Sequence, residues 1–190
     1  SGLNPKAYSK ANASGMWQFI YSTGKTYGLN RDWYKDERRD PVKATHAACN
    51  YLKDLYKEFD NWYLALAAYN AGSGRVARAS KLHQTYDFWQ MHSLPRETRN
   101  YIPAFIAICY SMNYNKIHEI YPNEYLFSYR ETDTVEVKYR VNLNYLKDIL
   151  QIPLSDLSIL NPSYKYNIIP KIKGEKYFLR LPVDKLGIFI

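Results

Sequence analysis

Leu64-Ala65-Leu66-Ala67-Ala68-Tyr69-Asn70-Ala71-Gly72 is an apolar helical run that closes on an asparagine and a glycine. Trp62, Ala65, Leu66 and Tyr69 fall on one face at helical spacing, and Gly72 and Gly74 stop the helix. Its alanines let neighbouring backbone approach closely. Asn70 carries two donors and an acceptor into that setting. The plainer reading of the asparagine and glycine is a helix terminus that caps itself. The functional one is a polar group presented beside an aromatic ring.

Working outward, Asp40-Pro41 is a helix start, an N-cap acid followed by proline at the first helical position. Ala44, Ala48, Leu52, Leu55 and Phe59 continue one face to about Phe59. A helix is expected over residues 75–84, and another from Pro95 to about Asn113, with Tyr101, Phe105, Ile108 and Met112 on one side and a kink at Pro103. The first 30 residues are turn-rich, with a short helix at 22–27. Residues 1–113 thus read as all-α.

The composition shifts after Met112. Residues 114–133 are polar and tyrosine-rich and read as a connecting segment. Val135, Val137, Tyr139 and Val141 alternate as a strand, 143–150 and 153–160 read as short helices, and 177–181 as a second strand. A βααβ unit of this size is near the lower limit for folding alone, so it is expected to lean on the helical part. The fold class is therefore mainly α, a helical domain followed by a small α+β module over 134–190.

Composition narrows the function classes. The 190 residues are 46% hydrophobic and 23% charged, which supports a folded core and argues against disorder. No apolar run is long enough to span a bilayer. The net charge of +8 is spread along the chain instead of clustered, so nucleic acid is not the expected partner. Tyr outnumbers Phe by 20 to 7, and a flat ring with a polar tip suits sugars as well as cores. Cys49 and Cys109 sit in apolar helical contexts and read as buried free thiols. Neither has neighbours at metal-ligand spacing, so no metal and no cofactor are expected.

Three motifs carry the chemistry: Gly15-Met16-Trp17-Gln18-Phe19, Ala67-Ala68-Tyr69-Asn70-Ala71-Gly72 and Arg96-Glu97-Thr98-Arg99-Asn100-Tyr101. Each alone is better explained by packing, capping or a solvated first turn. Their order is specific. With Ser1-Gly2-Leu3-Asn4-Pro5, Asp36-Glu37-Arg38-Arg39-Asp40-Pro41 and Tyr51-Leu52-Lys53-Asp54-Leu55 between and before them, residues 1–110 resemble the soluble lytic transglycosylase (SLT) family.

The resemblance implies a lysozyme-like helical domain at 1–113. It implies a lytic murein transglycosylase, a glycan lyase that cleaves the β-1,4 bond between N-acetylmuramic acid and N-acetylglucosamine and leaves 1,6-anhydro ends. One carboxyl group suffices, because the sugar's own C6 hydroxyl replaces the nucleophile or water that other glycosidases employ. That carboxyl must start protonated, which a poorly solvated site favours. The family's acid opens a Glu-Ser pair, so its place is immediately before Ser1, and no catalytic residue is assigned within the chain. Glu37, Glu58 and Glu97 are alternatives by type, but each reads as an ion-paired group, Glu37 as a solvated one in a run of charges. By motif, Ser1 flanks the acid, Met16 and Gln18 line the cleft, Tyr69 and Asn70 contact sugar groups, and Tyr101 orients acid or substrate.

Val137-Lys138-Tyr139-Arg140-Val141, Leu157-Ser158-Ile159-Leu160-Asn161-Pro162 and Tyr177-Phe178-Leu179-Arg180-Leu181-Pro182 resemble a LysM domain, a class that binds N-acetylglucosamine-containing glycans. The usual Gly-Asp-Thr after the first strand is replaced by Val141-Asn142-Leu143. Peptidoglycan strands are the implied partner of a monomer. The implied location is the periplasm or cell envelope, with an outer-membrane lipoprotein as one form and any membrane anchor placed upstream of Ser1. The competing expectation is a non-catalytic peptidoglycan-binding protein on the same scaffold.

Overall fold

A computed structural model describes residues 1–121 and 131–189. The expected connecting segment at 114–133 lies in part outside these residues. The described chain is mainly helical, as the sequence predicts, with a small strand-containing C-terminal region. It divides into two compact units, Ser1–Ala48 with Tyr125–Ile190, and Cys49–Glu124.

The helices are α1 (Tyr21–Thr26), α2 (Pro41–Phe59), α3 (Trp62–Ala71), α4 (Ser73–His83), α5 (Arg96–Asn113), α6 (Leu143–Leu150), α7 (Leu154–Leu160) and α8 (Val183–Phe189). Their boundaries follow local chemistry. The Asp40 carboxylate accepts from the Val42 and Lys43 amides at 3.0 and 2.9 Å, with Pro41 in the first helical position. Asn61 caps α3 by accepting from the Tyr63 and Leu64 amides at 2.8 and 3.3 Å. Gly72, at φ 88°, ends α3 and turns the chain directly into α4.

The core of the Cys49–Glu124 unit is built on α3. Leu64, Ala65, Ala67 and Ala68 are fully buried and pack with Leu55, Val76, Phe88, Met91, Leu94 and Ile102. The small side chains of α3 leave room for α4 and α5 alongside it, and burying a side chain such as Leu64 contributes roughly 1.5–3 kcal/mol. The apolar side of α5 is only partly used. Ile102 is buried, whereas Phe105, Ile108 and Met112 are exposed.

In the other unit, β1 (Thr132–Glu136) pairs antiparallel with β4 (Phe178–Pro182), from Thr132 opposite Pro182 to Glu136 opposite Phe178. A second ribbon joins β2 (Val141–Asn142) to β3 (Ile168–Ile169). The single strand expected from Val135 to Val141 is thus two, separated by residues 137–140, and β3 and α8 are additions to the expected βααβ order. Leu143, Leu146 and Leu150 of α6, Ile152 of the link and Leu157 of α7 pack with Val137, Ile169, Leu179 and Leu181 to form this core.

Both cysteines are free, but the expected burial does not hold: Cys49 is exposed and Cys109 half-buried. Cys49 falls on the solvent side of α2, while Ala44, Ala47, Ala48 and Leu55 take the buried positions. Among the described residues, no helix is long and apolar enough to cross a membrane.

Candidate active site

The six residues singled out by motif fall into two groups, each inside one compact unit. Ser1, Met16 and Gln18 belong to the first, Tyr69, Asn70 and Tyr101 to the second.

The first group sits on a loop held by its own backbone. The Ser14 amide donates to the Phe19 carbonyl at 3.0 Å and the Gly15 amide to the Ala7 carbonyl at 2.9 Å. Gly15 (φ 82°) and Gln18 (φ 53°) both take the left-handed conformation that turns the loop. The Gln18 side-chain amide donates to the Gly15 carbonyl at 2.6 Å, which explains a polar residue in an apolar run: it satisfies the loop's backbone. The Ser1 hydroxyl donates to the Met16 carbonyl at 2.8 Å, placing Ser1 beside the loop. The Trp17 indole N–H donates to Thr45 on α2 at 2.8 Å.

Beneath this loop lies a group that the motif reading left without a role. Arg38 is 1% exposed. Its guanidinium makes a two-pronged pair with Asp36, Nε to Oδ1 at 2.9 Å and a terminal nitrogen to Oδ2 at 2.7 Å. The other terminal nitrogen donates to the Asn12 and Phe19 carbonyls, each at 3.0 Å. Only the planar, five-donor fork of arginine can serve a carboxylate and two carbonyls at once. The visible signal was the charged run Asp36-Glu37-Arg38-Arg39, which a charge count reads as a solvated surface.

Glu37 corrects that same expectation. It is ion-paired as expected, to Lys35 and Lys43, but it is buried and not solvated. Burial opposes its charge, yet hydrogen bonds from Lys35, Lys43 and the Asn30 amide outweigh it and bring its pKa down to about 2. Such a group is ionised throughout the working range and is the opposite of a proton-donating acid.

A depressed folded-state pKa stabilises the protein above the unfolded value of 4.5, and the contribution disappears as pH falls toward about 2. Allowing for solvent screening at the half-exposed Lys43, it is worth about 2 kcal/mol. Melting temperatures between pH 5 and pH 2 should therefore fall more steeply for the parent than for Glu37→Gln. Parallel curves would show that Glu37 does not carry this acid sensitivity.

In the second group, Tyr69 on α3 lies against Tyr51 of α2, ring centroids 5.2 Å apart. Burial, with smaller contributions from the neighbouring Tyr101 and Tyr51, raises the Tyr69 phenol well above its ordinary range. Burial raises Tyr101 as well. Both therefore remain O–H donors at any physiological pH. Asn70 is oriented by Thr98, whose buried hydroxyl donates to Oδ1 at 2.8 Å. The Nδ2 end of the amide faces the acceptor-only Glu97 carboxylate at 3.5 Å. Glu58 and Glu97 are both exposed.

The second group is thus a set of neutral hydrogen-bonding groups and aromatic faces on the packed helices α3 and α5. Among the described residues, no cluster of three or more His, Cys, Asp or Glu could hold a metal ion.

Comparison with known proteins defines the class. Residues 1–92 match the transglycosylase SLT domain, and residues 131–190 match the LysM-like domain of lytic transglycosylase MltD. Residues 1–92 thus form a transglycosylase SLT domain, and residues 131–190 an MltD-type LysM-like module.

Among named relatives, membrane-bound lytic murein transglycosylase D of Escherichia coli (strain K12) is 46% identical over 113 residues, 57% of this chain and 25% of that protein. Peptidoglycan transglycosylase gp16 of Escherichia phage T7 is 35% identical over 109 residues, 56% of this chain and 8% of that protein. The chain thus spans about a quarter of the length of the first relative. The crystal structure of the 70 kDa soluble lytic transglycosylase from Escherichia coli shares 31% identity over 54% of this chain and 18% of that one, with a TM-score of 0.44.

Proposed function

We propose that this chain is the substrate-binding part of a peptidoglycan lytic transglycosylase, cleaving the β-1,4 bond between N-acetylmuramic acid and N-acetylglucosamine with formation of 1,6-anhydro ends. The observation that carries the proposal is the SLT match over residues 1–92, which contains the Gly15–Phe19 loop and the Tyr69-Asn70 pair on α3. In this plan residues 1–113 supply the SLT domain, 114–133 the connection and 134–190 the LysM-like module.

The acid is the glutamate whose place in the family's motif is next to Ser1. Protonated, it gives its proton to the leaving glycosidic oxygen as the C1–O bond breaks. As carboxylate, it takes the proton of the C6 hydroxyl as that oxygen bonds to C1. One group suffices, since no water has to be activated. Neutral partners suit this chemistry. The Tyr69 and Tyr101 hydroxyls and the Asn70 amide can hold N-acetyl and hydroxyl groups in place without adding charge that would deprotonate the acid early. Ser1 and Met16 form the wall next to the acid, and Gln18 shapes that wall through Gly15.

The substrate, together with the LysM-like module, supports a place in the cell envelope. In this plan the LysM-like module grips glycan and the protein acts as a monomer.

The test is digestion of purified sacculi by the full-length protein, with the soluble fragments weighed by mass spectrometry. Anhydro-muropeptides, 18 Da lighter than hydrolytic products by the mass of one water, about one per cut, are the expected outcome. Reducing ends would indicate a hydrolase instead. Retention on sacculi without any release would favour the non-catalytic binding protein.

A further inference from the structure

We infer that the turn 161–165 of the LysM-like module is a splint for the loop carrying Met16 and Gln18, so that the module positions the cleft wall in addition to any glycan it holds. The contacts form a continuous path inside one compact unit, Ser1–Ala48 with Tyr125–Ile190.

The turn is clamped to its own module first. The Tyr164 hydroxyl donates to the Phe178 carbonyl at 2.7 Å, and burial pushes its pKa up to about 12, so it stays a donor. Asn161 donates to the Arg180 carbonyl at 2.9 Å and accepts from the Arg180 amide at 2.8 Å, which copies a strand pairing against β4. Tyr164 and Asn161 are 6% and 5% exposed, so this edge is rigid.

The free edge of that turn then pairs with the N-terminal segment. The Asp36 amide donates to the Ser163 carbonyl and the Lys165 amide to the Tyr34 carbonyl, both at 2.8 Å, and Lys35 and Tyr164 form an antiparallel bridge. Side chains extend the contact: the Lys165 ammonium donates to the Asp32 carbonyl, and the Lys6 ammonium to the Ser158 hydroxyl.

From Asp36 the path is short. Its carboxylate holds Arg38, whose guanidinium holds the Asn12 and Phe19 carbonyls. Gly15 rests so close to the Arg38 carbonyl that a Cβ there would lie 1.9 Å from it. A module that served only as a tethered glycan grip would leave its edges to solvent. Here one backbone hydrogen bond of the module fixes Asp36, the residue that holds Arg38, and a second fixes Tyr34 two residues before it. Ser163 and Lys165 are therefore positioning residues, and they act through their backbone.

The consequence for cleavage rests on the transglycosylase reading; the mechanical coupling does not. The test is hydrogen exchange by mass spectrometry on the full-length protein carrying Lys165→Pro, which removes the amide donor to Tyr34. Expected is a rise in exchange of at least about tenfold at residues 34–38 and also at 14–19, with α3 and α4 unchanged. Unaltered protection at 14–19 overturns the inference, whether or not α6 and α7 stay protected. Should Lys165→Pro fail to fold, the pair Lys165→Ala with Lys6→Ala removes only the side-chain ties. It is read the same way, with a smaller rise expected at 14–19 and no rise overturning the coupling.

On sacculi, Lys165→Pro should lower turnover at saturating substrate while the protein still binds them. Lost binding with unchanged turnover per bound enzyme would mean the module is a grip alone. A parent protein that cleaves no glycan would count against the transglycosylase reading, and the exchange result would stand by itself.

Discussion

Arg38→Ala should destabilise the protein by about 3–5 kcal/mol, the range found when one partner of a buried ion pair is removed. Three losses combine. The Asp36 carboxylate, 2% exposed, loses its two-pronged partner and keeps the longer contact to the half-exposed Arg31, 3.8 Å away. The Asn12 and Phe19 carbonyls lose their donor. The volume under the loop is left empty. Against a typical total of roughly 5–15 kcal/mol, this is a large fraction. Urea denaturation read at equilibrium gives the midpoint shift. Arg38→Lys restores charge without the fork, and should recover only part of the loss. A midpoint for Arg38→Ala within about 0.5 kcal/mol of the parent, the size of an ordinary surface change, would show that the pair is not the loop's anchor.

Gly15→Ala comes next in size. A Cβ at Gly15 would fall 1.9 Å from the Arg38 carbonyl oxygen and 2.8 Å from its carbon, both backbone atoms that cannot swing aside. The residue also sits at φ 82°. The left-handed conformation alone costs an L-residue roughly 1–2 kcal/mol, and the clash must add to it by moving the loop off Arg38. A loss of at least about 3 kcal/mol is expected, in the class of strained backbone positions. Gly28→Ala separates the two causes, since Gly28 has φ 80° and open space where its Cβ would go. It should show the conformational cost alone. Equal thermal shifts for the two variants would mean that the close approach of Arg38 to Gly15 contributes nothing.

The helical plan was legible because its signals are local. Asp40-Pro41 starts α2 and Gly72 ends α3 through hydrogen bonds to residues within one turn, and those bonds depend on nothing distant. The alanines and leucine of α3 announce a buried helix by composition. The order of the motifs carried the family. It also singled out candidate site residues; Ser1 hydrogen-bonds to Met16, and Tyr69 and Asn70 share α3.

What escaped the sequence depends on partners far away in the chain. β2 and β3 are two residues each and exist only because Val141 meets Ile169; no periodicity shows in so short a stretch. Cys49 and the outer side of α5 look apolar by type, yet exposure is set by what packs opposite them.

The charges at 36–38 are the clearest case. As a string, Asp36-Glu37-Arg38-Arg39 reads as a solvated face. Buried, it is a network in which every carboxylate has a donor and Arg38 answers two carbonyls. Desolvation makes such an arrangement costly unless it is complete, and completeness is a property of geometry. The sequence by itself thus determined helices α1 to α7, the start of α2, the end of α3 and the SLT-type motif order. Only the tertiary structure decided that a buried arginine holds the Gly15 loop, and that the turn at 161–165 is joined by backbone hydrogen bonds to the segment bearing that arginine. Those bonds involve peptide groups every residue possesses, so no pattern of side chains could reveal them.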